Sequence, residues 1–197
     1  MPSFAHPQYG NPMFEEHSMT MRKFLVAIIY NGRTYYTVHG MDFTVTDVNI
    51  NNHKVLVTDE DKWALFSTKT ELAAYITQAA HLWDNDRMKE WAQGLDERSP
   101  ADTEINLDFM LTAKDDVDDY YELYNTMIFV EDFVEQIDDV TMHALTLGSS
   151  TVREFFDAAA DYFLWKDGDK EMLAVRGPRL LLAINNIYME LQKWIEV

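Results

Sequence analysis

Apolar positions change their period partway along the chain. From Lys23 to Tyr30 the residues are β-branched and aromatic, Asn31-Gly32 follows, and Thr34 to His39 returns with the same character. Asn-Gly readily takes the positive φ angles of a type I′ turn, so these residues predict a β-hairpin. Phe43 to Ile50 and Lys54 to Thr58 predict a second pair around Asn51-Asn52, and Trp63 to Phe66 a fifth strand after the Thr58-Asp59-Glu60-Asp61 turn. The expectation is an antiparallel meander.

Helical spacing begins near Thr68. Thr68-x-x-Glu71 reads as a capping box, and Leu72, Ile76, Ala79 and Trp83 recur at helical intervals to about Ala92, with Gly94 as terminator. Ile105 to Leu111 fits strand or helix equally. A long helical region is expected from about Ala113 to Leu147, ended by Gly148, and Thr151-x-x-Glu154 then opens a helix carrying Val152, Phe155, Phe156, Ala159 and Phe163 on one side. Pro178 suits the first turn of a last helix. The fold class this predicts is α+β, an N-terminal antiparallel β meander packed against a C-terminal bundle of four to five helices. Residues 1–20, with Pro2, Pro7, Gly10 and Pro12, read as an extended N-terminal arm, and 21–197 as a single α+β domain with the meander over 21–67 and the helical part over 68–197.

Within the long helical region the apolar set rotates. Val117, Tyr120, Tyr121, Tyr124, Met127 and Ile128 share one side, opposite Asp115, Asp118, Asp119 and Glu122. From Phe129 onward the set becomes Val130, Phe133, Val134, Ile137, Val140 and Ala144, about half a turn away, and Glu131, Asp132, Glu135, Asp138 and Asp139 rotate with it. The favoured explanation is a break or kink near Asn125 to Phe129, which lets both acidic faces meet solvent. The alternative is an unbroken helix touching different elements at its two ends, supplied by the meander or by a homodimer partner.

Charge sharpens the interest of this region. Between Asp96 and Asp139 stand fifteen acidic residues and two basic ones, Arg98 and Lys114, so this stretch holds −13 of the chain's formal −18. Such a balance repels bare nucleic acid and anionic membranes and attracts cationic proteins. Like-charge i,i+4 pairs such as Asp118–Glu122 and Glu131–Glu135 each cost a few tenths of a kcal/mol, so fold stability does not ask for them. Carboxylates on adjacent helical turns stand about 5–6 Å apart, a spacing comparable with nucleic-acid phosphates. The candidate partner-binding residues are therefore Asp115, Asp116, Asp118, Asp119, Glu122, Glu131, Asp132, Glu135, Asp138 and Asp139. The functional expectation is a non-enzymatic, cytoplasmic protein that engages a basic protein surface, an inhibitor of viral or mobile-element type that mimics nucleic-acid phosphates. The chain resembles DNA-mimic inhibitors in charge and helicity alone. The competing view of the same acids is a solvated face that keeps an apolar protein in solution.

Other chemistry is weakly signalled. There is no cysteine, and no apolar run approaches the ~20 residues of a membrane-spanning helix. Glu135, Asp139 and His143 fall at i, i+4 and i+8 but span about 12 Å, too far for one ion. Asp84, Asp86 and Glu90, and separately Asp167-Gly168-Asp169, lack the order of a calcium loop. His6, His17, His39, His53 and His81 are scattered with no HExxH pattern, and neither a metal nor a cofactor is expected. Arg176-Gly177-Pro178-Arg179, flanked by Lys166 and Lys170, is the concentrated basic spot, read as neutralising part of the acidic region. Two other classes stay open: a carboxylate- or metal-dependent enzyme with its site between meander and helices, and a structural or assembly subunit.

Overall fold

Asn31 and Gly32 hold positive φ, 51° and 68°, and join β1 (Lys23–Tyr30) to β2 (Arg33–Met41) with Tyr30 opposite Arg33. The computed structural model describes residues 23–42, 52–165 and 177–197, so the N-terminal arm and the strand expected over Phe43 to Ile50 lie outside the described residues. β3 (His53–Val55) pairs antiparallel with β2, and β5 (Thr103–Asn106) pairs parallel with β1, giving the order β3-β2-β1-β5. A second, short sheet pairs β4 (Trp63–Ala64) in parallel with β6 (Ile195–Glu196). The fold is α+β as expected, with one parallel strand, β5, added to the antiparallel core of the main sheet and a separate parallel pair in the short one. Ile105 to Leu111, equivocal by period, divides into the end of β5 and the short α3 (Phe109–Thr112).

β1 is buried along nearly its whole length, as a strand covered on both faces must be. On one face Leu25, Val38 and Leu56 pack against Leu72 and Ile76 of α1 (Lys69–Gln78) and Met88 and Ala92 of α2 (Asn85–Gln93). On the other, Val26, Ile28, Tyr35 and Val55 join the larger core of the remaining helices. Thr68 closes its capping box, the hydroxyl accepting from Glu71 N and the Glu71 carboxylate from Thr68 N, both at 3.1 Å. The single helix expected up to Ala92 is two helices instead. Between them Asp84, at φ 49°, turns its carboxylate onto the buried ammonium of Lys23 at 2.6 Å.

α4 (Val117–Val134) runs unbroken through Asn125 to Phe129, so the kink favoured there is corrected to the continuous alternative. The interruption comes at Glu135 to Asp139, before α5 (Val140–Leu145). Its two halves have different neighbours. Tyr120 and Tyr124 pack on Phe155 of α6 (Ser150–Ala159), whereas Phe133 stacks on Trp63 at 5.4 Å and Phe129 lies 4.6 Å from the ring of His39. The rotation of the apolar set thus marks a change of neighbour along one continuous helix. α6 is capped by Ser149 rather than by the Thr151 box and widens into a π-helical segment over Ala160–Trp165. α7 (Gly177–Leu191) carries Pro178 in its first turn and buries Leu180, Ile184, Ile187, Tyr188 and Leu191. No helix among the described residues is long and apolar enough to cross a membrane.

Candidate functional site

α4 starts where it does because Asp116 caps it, accepting a hydrogen bond from Asp119 N at 3.0 Å. Acids near a helix N-terminus also meet the positive end of its dipole. Asp119 in turn accepts from Lys114 N at 2.5 Å. Asp115 accepts the Tyr120 hydroxyl and lies against Gly177, where any side chain would collide with its carboxyl group. Burial first, and then the bond to Asp115, push the Tyr120 pKa far up. Asp115, Asp116 and Asp118 are exposed, and Asp119 and Glu122 half-buried. Among the described residues none of these five forms an ion pair.

The second acidic group does not form one ridge. Glu135 and Asp138 are exposed, Glu131 and Asp139 half-buried, and Asp132 is buried. Asp139 caps α5 through Met142 N at 2.7 Å. His143 Nε2 bonds to the Ile137 carbonyl at 2.9 Å, and residues 135–139 lie outside the helix, so the expected stripe of Glu135, Asp139 and His143 does not assemble. Glu131 is pushed up to about 7, by burial first and then by the nearby Glu135 and Asp132 carboxylates, against the opposing pull of Arg153.

The inward turn of Asp132 brings together residues that sequence reasoning left apart. His39 and His53 stand on the face of β2 and β3 that α4 covers, since the register sets His39 opposite Val55 and Met41 opposite His53. Asp132, in the last turn of α4, meets His39 Nε2 at 2.8 Å through Oδ2. The two imidazoles are stacked, 5.6 Å apart at 25°. One ligand atom each from His39, His53 and Asp132 lies within 4.8 Å of the others. The missing signal was the β2–β3 pairing. Matching Lys54 to Thr58 with Phe43 to Ile50 leaves His53 in the turn before its strand, with nothing to bring it to His39.

Other candidates are engaged elsewhere. Asp84 serves Lys23, with Arg87 Nε at 3.8 Å, rather than a calcium loop with Asp86 and Glu90. Asp167-Gly168-Asp169 lies outside the described residues, as do Lys166, Lys170 and Arg176 of the basic spot. Tyr120, Tyr124 and Phe155 are core residues. A cleft of ≈ 860 Å³ opens on the α1–α2 side of the sheet, where Lys23, Leu25, Arg87, Trp91 and Asp102 line it.

No family model and no curated protein matches the sequence. Among solved structures, the C-terminal domain of SatS, crystallised in complex with bromine, is similar in fold, with a TM-score of 0.55 at 13% identity over 89% of this chain and 94% of that one. At that identity the likeness concerns the fold alone.

Proposed function

We propose that this is a non-enzymatic binding protein whose acidic surface, centred on the start of α4, engages a basic surface of another protein. The observation that carries the reading is the set Asp115, Asp116, Asp118, Asp119 and Glu122, five acids across the cap and the first turns of α4 with no ion pair among the described residues. Such a row offers a cationic groove what a phosphate backbone offers it, and the partner class it fits is a nucleic-acid-binding protein whose groove it occupies. Exposed Glu135 and Asp138 extend the field beyond the other end of the helix, while Asp132 contributes inward. The large cleft is on the opposite side of the sheet from α4, so the acids stand outside a substrate-sized cavity there.

The test is affinity capture from the native host at low and high salt, with the wild-type chain and with D118N/E122Q. A nucleic-acid enzyme recovered at low salt, released at high salt and lost from the variant supports the reading. Recovery that ignores both salt and the substitutions sinks it.

A further inference from the structure

We propose that His39, His53 and Asp132 bind one divalent transition-metal ion at the junction of β2, β3 and the last turn of α4. The three residues come from separate elements and converge to within 4.8 Å by their ligand atoms. Two imidazoles and one carboxylate form a donor set for zinc and its neighbours, whereas calcium and magnesium demand more oxygen. In a tetrahedral site with bonds of about 2.0–2.1 Å, neighbouring ligand atoms are roughly 3.3 Å apart. Closing the cluster around an ion therefore asks the His39–Asp132 contact, now 2.8 Å, to open by roughly half an ångström and the widest pair to approach by no more than roughly 1.5 Å, within reach of side-chain rotation.

The surroundings hold two ligands in place and favour a cation. Asp132 is buried, and the side chain of Gln136 donates to its carbonyl at 2.6 Å, tying down the end of the helix. Phe129 and Asp132, on one side of α4, grip the His39 ring from two directions. The site sits at the carbonyl end of α4, where the helix dipole is negative, and Glu131 and Glu135 flank Asp132. A His39–Asp132 pair alone would be an ordinary polar contact. The ring of His53, on β3, stacks on that of His39 and sets a second imidazole beside this pair. With His53 reaching solvent, a bound ion keeps at least one position open to water.

The experiment uses the full chain after treatment with EDTA. Titration with zinc chloride in a calorimeter, and with cobalt(II) followed by visible absorption, should give one tight equivalent, with cobalt bands of a four- or five-coordinate ion. His53→Ala, at an exposed position, should weaken zinc binding at least tenfold while the metal-free protein still unfolds in one cooperative transition. Asp132→Asn should do the same in the calorimeter, whereas His143→Ala and D118N/E122Q should leave the affinity unchanged. Absence of a tight equivalent, or an affinity that His53→Ala leaves intact, would overturn the assignment.

Discussion

Asp108 shows how a single carboxylate from the acid-rich stretch serves the fold. It accepts from Asn31 N and Gly32 N at 2.8 and 2.7 Å and from the Tyr188 hydroxyl at 3.0 Å, binding the hairpin turn to α7. Burial and this bond push the Tyr188 pKa up to about 12, so the hydroxyl remains a donor throughout the ordinary pH range. Replacing Asp108 with Ala should cost about 2 kcal/mol in urea unfolding, and Tyr188→Phe about 1 kcal/mol. The double variant should lose less than the sum, because one bond is common to both. Glu131 is the opposite case. Its folded pKa of about 7 stands above the ordinary 4.5, so its contribution to stability is complete below the lower value and disappears as pH rises through the higher one. In metal-free protein, Glu131→Gln should therefore match the wild type near pH 4.5 and exceed it in stability above pH 7. Partial exposure keeps the gain modest, and a difference independent of pH would contradict the assignment.

At the scale of elements, α4 carries most of what is particular to this fold. Its halves are buried against different layers, which places polar groups inside that a one-faced helix would keep out. Thr126 is 1% exposed, and its hydroxyl has no hydrogen-bond partner among the described residues. Thr126→Val preserves the shape and removes the unpartnered oxygen, so it should raise stability by about 1 kcal/mol in chemical unfolding. A loss would mean that the hydroxyl is satisfied. The same helix marks where local reading stops. Asn31-Gly32, the Thr68 box, Gly94 and Pro178 state their roles within a few residues, and each turns up at the corresponding turn or helix end. The half-turn rotation in α4 was also visible, but its cause was not. A kink and a change of neighbour give the same periodicity, and only the unbroken run of α4, with Phe133 on Trp63 and Tyr124 on Phe155, separates them. The parallel pairing of β5 with β1, like the meeting of His39 with His53 and Asp132, depends on contacts far apart in sequence for which hydrophobic period carries no information.

Over the whole molecule, the question is which of the many acids the fold needs and which it merely tolerates. Asp116 and Asp139 cap helices, Asp108 ties the hairpin to α7, and Asp84 neutralises Lys23. These are structural, and removing the Asp116 cap with Ala should cost about 1 kcal/mol. Asp118 and Glu122, by contrast, make no hydrogen bond or ion pair among the described residues and repel each other one turn apart. In a chain of net charge −18, neutralising that pair relieves repulsion both locally and with the rest of the surface. D118N/E122Q should therefore be more stable than the wild type by a few tenths of a kcal/mol at low salt, and the gain should fade at high salt as screening shortens the reach of the charges. If the same variant also loses its basic partner, the acids at the start of α4 are kept at the expense of stability, as a binding surface would be. If it gains stability and keeps every partner, they are a solvated face, and the binding role must lie elsewhere on the molecule.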